Sequence, residues 1–95
     1  MFEVRQYAAF VSWKERLRDR AAAAQINIRI SRLAFGNFGD VRPIGGGVSE
    51  LRLNFGPGYR VYFAQRGAVI TLLCGGDKSS QEFDIRRAKE LAKEI

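Results

Sequence analysis

The sequence has no histidine, one cysteine and two prolines among its 95 residues. Without histidine there is no Ser-His-Asp triad, no Cys-His pair and no imidazole general base, so catalysis would need lysine, arginine, tyrosine or carboxylates. One cysteine without histidine also provides too few ligands for a zinc site, and none is expected. Cys74 cannot form an internal disulfide, which favours a reducing cytoplasm.

The sequence also lacks long apolar runs. No stretch approaches the ~20 apolar residues that span a bilayer. The N-terminus, MFEVRQYAAF, has no basic segment followed by an apolar core, so no signal peptide is expected. We therefore predict a cytoplasmic protein with no membrane partner. A chain of 95 residues with 46% hydrophobic content predicts one domain, residues 1–95, with one modest core.

Acidic residues are fewer than basic ones. Sixteen Lys and Arg against ten Asp and Glu give a net charge of +6. The excess lies in the first part of the chain, because residues 79–95 carry balanced charge. Such a balance favours nucleic acid or an acidic protein segment as a partner, and the alternative interpretation is ordinary solubility charge.

Hydrophobic periodicity predicts an α+β chain in the order β-α-α-β-β-β-β-α. The expected strands are 2–5, 41–44, 48–55, 59–65 and 68–74, and the expected helices are 7–19, 21–35 and one that follows Ser79. Asp19 is the expected N-cap of the second helix, and Gly36 is its expected stop. Ser79 and Glu82 have the spacing of a capping box for the last helix. Pro43 favours an edge position for the strand at 41–44.

The strand at 48–55 alternates cleanly. If the face with Leu51 packs on the helices, Glu50 and Arg52 lie on the opposite, open face. The Gly56-Pro57-Gly58 turn then places Arg60 across from Arg52. Two arginines so placed repel each other unless an anion lies between them, and either Glu50 or a phosphodiester could serve. The alternative is a solvated salt-bridge ladder of little energetic value.

Further polar side chains accompany this pair. Lys78 follows the last strand and could approach from the end of the sheet. Gln81 and Asp84 are one turn apart near the start of the last helix, so they can face the same way. Tyr62 shares the predicted open face and could stack on a base or pack internally. The helical arginines form a solvated face or an RNA phosphate footprint; they are Arg16, Arg18, Arg20, Arg29 and Arg32.

Two long segments resemble a known family. They are RISRLAFGNFGDVRPIGGGVSELRLNFGPGYRVYF and LLCGGDKSSQEFDI, with the motifs GxGxxELR, GPGYRVY and GGDKSSQxxDI. They resemble the addiction-module killer proteins, a HigB-like branch of the RelE/ParE toxin superfamily. The resemblance extends from the helix with Phe10 and Trp13 to Leu91. It implies two N-terminal helices, after a short strand, packed on a twisted, mainly antiparallel sheet, with a C-terminal helix.

The resemblance also implies a function. RelE-like toxins cleave mRNA, typically in the ribosomal A site, without a metal or cofactor, and inhibit translation. ParE-like toxins instead poison DNA gyrase. A cognate antitoxin, usually of helix-turn-helix type, neutralises such a toxin, and operator DNA is bound only through the antitoxin complex. A degenerate toxin retained as an autoregulation partner is a third alternative.

Site residues carry over in part. By the resemblance, Arg60 matches the arginine that contacts the scissile phosphate, Arg52 matches a basic sheet position, and Lys78 falls near the reaction centre. Glu50 stands where RelE has a lysine, and Asp84 stands where RelE has a tyrosine. These two carboxylates are the candidate general bases, and Gln81 is expected to orient the substrate. A base near neutrality needs a raised pKa, which neighbouring arginines oppose, and this slightly favours Asp84.

Overall fold

A computed structural model describes residues 1–95 and has an α+β fold. Its elements are β1 (Glu3–Gln6), α1 (Ala8–Glu15), α2 (Arg20–Ala34), β2 (Val41–Gly45), β3 (Val48–Leu53), β4 (Tyr59–Arg66), β5 (Val69–Gly76), a short 3₁₀ turn (Lys78–Ser80) and α3 (Gln81–Ala92). The five strands form one sheet in the order β1-β5-β4-β3-β2. Only β1 and β5 pair in parallel, so the sheet is mixed but mainly antiparallel, as expected.

The predicted caps of α2 are confirmed. The Asp19 side chain accepts a hydrogen bond from the Ala22 amide at 3.1 Å. At the other end Gly36 adopts a φ of +83°. The Gly36 amide donates to Leu33 O and the Asn37 amide to Arg32 O, which satisfies the last carbonyls of the helix.

Three predicted boundaries are wrong. Helix α1 ends at Glu15 rather than at residue 19, and β3 ends at Leu53 rather than at residue 55. The predicted capping box of Ser79 and Glu82 does not form. Asp77 instead caps the 3₁₀ turn, accepting from the Ser79 amide at 2.8 Å, and α3 begins at Gln81, one residue later than that pattern indicates.

Helices cover both faces of the sheet. Helices α1 and α2 pack on one face around a core that includes Phe10, Ile26, Leu51 and Phe63. Helix α3 packs on the other face, hereafter the α3 face, over a second core that joins the following residues: Val48, Tyr62, Ala64, Leu73, Cys74, Ala88 and Ala92. The prediction of an open face is therefore wrong where α3 lies over it.

A β-bulge in β5 determines on which face of the sheet the later residues of that strand lie. Tyr62 pairs with Cys74 but Phe63 pairs with Leu72, so Leu73 is the extra residue. Leu73 and Cys74 consequently both belong to the core of the α3 face.

No helix in the chain combines the length and apolar character required to cross a membrane.

Candidate functional site

The candidate site lies where β3 ends, β4 begins and α3 starts. Arg52 and Arg60 are direct partners across β3 and β4, as predicted, and Arg60 also pairs with Gly76 of β5. Two residues back along β3, Glu50 pairs with Tyr62. Because side chains alternate along a strand, the arginines share the α3 face with Glu50 and Tyr62.

Glu50 is the hub of this arrangement. Its carboxylate is fully buried and accepts hydrogen bonds from the Tyr62 hydroxyl at 3.0 Å and the Gln81 amide at 2.9 Å, both at Oε2. Arg42 donates to Oε1 at 3.3 Å. The prediction that Glu50 faces solvent is wrong, because the first turn of α3 brings Gln81 over it. With both oxygens engaged, Glu50 has no route to a substrate hydroxyl.

Tyr62 is also fully buried, so the prediction that its ring could stack on a base is wrong. Burial raises the pKa of its hydroxyl far above the ordinary range, and the neighbouring Glu50 carboxylate adds to that effect. The hydroxyl therefore stays protonated and acts as a permanent donor to Glu50.

Arg60 is 8% exposed, and its guanidinium is only partly satisfied. Nη1 donates to the Gly58 carbonyl at 3.2 Å and to the Tyr59 carbonyl at 3.4 Å. Nε lies 3.8 Å from Glu50 Oε2, which is too far for a hydrogen bond, and has no other partner. Nε is thus buried beside Glu50, while the Arg60 side chain also lines a hollow.

Arg52 is partnered differently. Its Nη2 and Nε donate to Asp40 Oδ1 at 2.8 and 3.2 Å, and Asn54 donates to Asp40 Oδ2 at 3.0 Å. These hydrogen bonds, with that from Arg52 the strongest, hold the pKa of Asp40 below its usual range. Each arginine therefore has its own carboxylate, and the predicted solvated ladder of Arg52, Arg60 and Glu50 is wrong, because Arg52 pairs with Asp40 and Glu50 is buried.

Lys78 completes a basic hollow beside Arg60. The hollow holds about 300 Å³ and is lined by Arg60, Lys78 and the turn at 54–58. The Lys78 amide donates to the Pro57 carbonyl at 3.3 Å, which fixes the start of the 3₁₀ turn against the hairpin. Gly58 has a φ of +77°, and a Cβ at this position would lie 3.4 Å from Lys78 Cβ. The absence of a side chain therefore leaves space beside Lys78. The predicted approach of Lys78 to Arg60 is confirmed.

Asp84 lies under the start of α3. It is 6% exposed and accepts a hydrogen bond from the Ser80 hydroxyl. Burial raises the pKa of its carboxyl, although the Ser80 hydroxyl and the Arg87 charge oppose that rise. The carboxylate rests directly on Gly76, while Gly75 faces the Trp13 ring on the other side of the sheet.

The helical arginines do not join this group. Arg16, directly after α1, and Arg32 of α2 are exposed, and these two helices cover the opposite face of the sheet. Arg29 is half-buried, and its Nη1 donates to the Arg52 carbonyl at 2.9 Å. Its second terminal nitrogen, Nη2, is buried without a partner. Arg29 therefore ties α2 to β3 rather than presenting a free charge.

Two residues of the network were not predicted. Asp40 and Arg42 provide the partners of Arg52 and Glu50, respectively. The signal for Arg42 was present, because a hairpin turning at Gly45–Gly47 places residue 42 opposite residue 50, as the register shows. No group of three Cys, Asp or Glu side chains is placed to hold a metal ion.

Together these features define an α+β protein with a small basic hollow beside a buried carboxylate hub. An uncharacterized protein from Haemophilus influenzae is 49% identical to this chain over 94 residues, which cover 98% of this chain and 95% of the relative. The chain therefore belongs to the same family as that H. influenzae protein. No protein-family model matches the chain.

Proposed function

We propose that the protein is a RelE/ParE-type toxin of a toxin–antitoxin system that cleaves mRNA in the translating ribosome. The observation that carries this proposal is that the Arg60 guanidinium and Lys78 line one open hollow of about 300 Å³. A phosphodiester carries one negative charge and gains a second as the 2′-oxygen attacks, and two neighbouring cations stabilise that added charge. The resemblance of the GPGYRVY and GGDKSSQxxDI motifs to such toxins supports the same conclusion.

The proposed reaction is attack by the ribose 2′-hydroxyl on the adjacent phosphorus. The 2′-oxygen loses its proton and bonds to phosphorus while the bond from phosphorus to the 5′-oxygen breaks. The leaving 5′-oxygen takes up a proton, so the products are a 2′,3′-cyclic phosphate and a 5′-hydroxyl. Arg60 stabilises the charge that builds on the phosphate oxygens, and Lys78 protonates the leaving oxygen or holds the phosphate. Arg52, tied to Asp40, adds positive potential nearby.

Asp84 is the proton acceptor in this proposal, and Glu50 is a positioning residue. A base works best when its pKa lies near the working pH, and burial moves the pKa of Asp84 in that direction. Glu50 is enclosed by Tyr62, Gln81 and Arg42, so it fixes Arg60 and the start of α3 instead. Gln81 then acts through Glu50 rather than on substrate.

The partners follow from the same proposal. A cognate antitoxin, of helix-turn-helix type, neutralises the toxin, and operator DNA is bound through that complex. The ribosome and its mRNA are the targets, in the cytoplasm. The net charge of +6 supports a polyanionic partner. Exposed Arg16 and Arg32 would contact ribosomal RNA backbone away from the reacting phosphate.

A second function is supported by one observation. Both candidate bases are buried and hydrogen-bonded, as in a purely structural network. A ParE-like toxin that binds DNA gyrase needs no proton acceptor and no alignment of Arg60 on phosphate. This alternative differs from the first in its cellular consequence, because gyrase poisoning damages DNA and leaves mRNA intact.

Induction of the wild-type protein in growing cells tests the choice. We expect growth arrest within the course of induction, with new mRNA 5′ ends that carry hydroxyl groups and appear only on translated messages. Sequencing of mRNA ends and an SOS reporter are read in the same cultures. An SOS response with unchanged mRNA ends would replace the cleavage proposal with the gyrase one, and no arrest at all would favour a degenerate toxin.

Replacement of Asp84 by asparagine should remove cleavage while leaving the fold intact. It should also change the pH dependence of stability in a defined direction. Because the folded-state pKa of Asp84 is raised above 3.8, the folded protein binds more protons, and wild-type stability falls as pH rises through that raised pKa. The asparagine variant should lack this fall, which urea unfolding at several pH values measures.

Glu50→Gln is the matched variant for this test. It should lose about 2 kcal/mol of stability, because Arg42 and Arg60 lose their buried counter-charge. Cleavage per folded molecule should fall less than in Asp84→Asn. If both variants cleave RNA at the wild-type rate, neither carboxylate moves the proton.

A further inference from the structure

Two exposed phenylalanines line the basic hollow and the hollow next to it. Phe55 follows the end of β3 and is 38% exposed, and its ring rests on Tyr59 with the centroids 5.8 Å apart. Phe83 lies in the first turn of α3 and is 59% exposed. Neither ring belongs to either of the two cores.

A second hollow connects Phe83 to the first one. It holds about 500 Å³ at the start of α3 and is lined by Lys78, Phe83 and Arg86, together with the polar residues between 79 and 82. Lys78 lines both hollows. Phe83 and Arg86 are three residues apart on a helix, so they face the same way. The two hollows together therefore present two aromatic rings, Phe55 and Phe83, and three cations, Arg60, Lys78 and Arg86, beside the Glu82 carboxylate.

A surface with neighbouring aromatic rings and cations suits single-stranded nucleic acid. A single-stranded nucleic acid presents an unpaired base and a phosphate at each step, and bases stack on aromatic side chains whatever their identity. A folded protein segment would offer no such repeat. Arg60 and Lys78 line the same hollow, so two cations lie together where a phosphate would bind.

We propose that Phe83 and Phe55 are base-stacking platforms for the nucleotides on either side of the phosphate held by Arg60 and Lys78, and that Arg86 contacts the next phosphate. The inference rests on the proposed function, because it takes single-stranded RNA as the ligand. It adds an extended track of two base subsites to the single phosphate site, and it assigns positioning of the RNA to residues outside the buried hub.

Binding of a short single-stranded RNA that carries 2′-O-methyl groups throughout tests this proposal without cleavage. One base next to the central phosphate is replaced by 2-aminopurine, whose fluorescence is quenched on stacking. We expect the wild-type protein to quench the probe. Phe83→Ala should relieve the quenching and weaken binding by about 10-fold, the effect typical of one lost stacking partner. Phe83→Trp should quench the probe and bind RNA as the wild type does. Phe55→Ala should relieve the quenching of a probe placed on the other side of the central phosphate.

Phe35→Ala is the matched control, since Phe35 is 72% exposed on the far layer of the molecule at the end of α2. It should bind and quench as the wild type does. Unchanged binding by both Phe83→Ala and Phe55→Ala, or no RNA binding by the wild type, would overturn the inference. So would normal RNA binding by Phe83→Ala with lost growth arrest, because that result would make the surface a protein contact. Quenching without new mRNA ends in cells would support the track and reject cleavage, so the two proposals fail separately.

Discussion

Replacement of Arg60 by alanine is expected to lower RNA cleavage by about 100-fold or more, the loss that follows removal of one preorganised donor to transition-state charge. Arg60 is the arginine that lines the hollow, whereas Arg52 is engaged by Asp40. Removal should leave the sheet in place, because Glu50 keeps hydrogen bonds from Tyr62, Gln81 and Arg42. The measurement is the initial rate of mRNA cleavage in a translation reaction, beside the melting temperature of each protein.

Arg66→Ala is the matched control for this loss. Arg66 ends the same strand, is exposed, and donates only to the Gln65 carbonyl, so the substitution removes the same charge away from the hollow. It should retain activity within a few-fold of the wild type. Arg60→Lys should recover part of the rate, because it restores the charge without the planar fork of donors. Equal losses in the Arg60 and Arg66 variants would show that net charge, and not the site, controls activity.

Replacement of Gly76 by alanine is expected to cost about 3 kcal/mol or more of folding stability, the upper end of overpacking effects. A Cβ on Gly76 would lie 1.8 Å from Asp84 Oδ2 and 2.8 Å from Asp84 Cγ. Asp84 cannot retreat easily, because it is held by Ser80 beneath the first turn of α3. The denaturant midpoint of the purified variant measures the loss, and a variant too unstable to purify would agree with it.

A double substitution distinguishes this clash from a general intolerance of the strand. Gly76→Ala combined with Asp84→Ala removes the obstacle, so the double variant should be more stable than Gly76→Ala alone, with a coupling energy that a double-mutant cycle detects. Gly67→Ala gives the scale for backbone strain alone, since its Cβ would meet nothing within 4 Å. It should cost about 1 kcal/mol because φ is +58°. Additive losses would contradict the proposed contact.

Local patterns in the sequence were sufficient to predict much of the fold. Alternation along residues 48–53 and the Gly56-Pro57-Gly58 turn predicted the pairing of Arg52 with Arg60, which the register confirms. The Asp19 cap and the Gly36 stop of α2 were readable because caps depend on the residues next to them. Pro43 was rightly assigned to an edge strand.

The role of Glu50 could not be predicted, because it depends on long-range packing. Alternation places Glu50 and Tyr62 on one face of the sheet but does not say whether a helix covers that face. The second core of the α3 face is built from Tyr62, Ala64 and Leu73, and these residues gave no separate signal. The bulge at Leu73 is also invisible in an apolar run, although it determines that Gly76 meets Asp84.

The capping error at α3 has a local cause. Ser79 and Glu82 have the spacing of a capping box, but Asp77 accepts from the Ser79 amide, which Glu82 would need for that box, and begins a 3₁₀ turn first. Short acidic side chains are strong competitors for free amides at a helix start. The Ser80 hydroxyl is then available to donate to Asp84. Because the cap was assigned to the wrong residue, this contact of the candidate site was not predicted.

The hub at Glu50 has a consequence for synthesis of the chain. Glu50, Arg60 and Tyr62 belong to β3 and β4, whereas Gln81 belongs to α3, which is translated later. Chains fold from the N-terminus as they emerge at ~5–20 residues per second. Until α3 has emerged and docked, Glu50 lacks one of its hydrogen-bond donors and the core of the α3 face is bare. The basic hollow therefore takes its final form late in synthesis, when the ribosome has added the last helix.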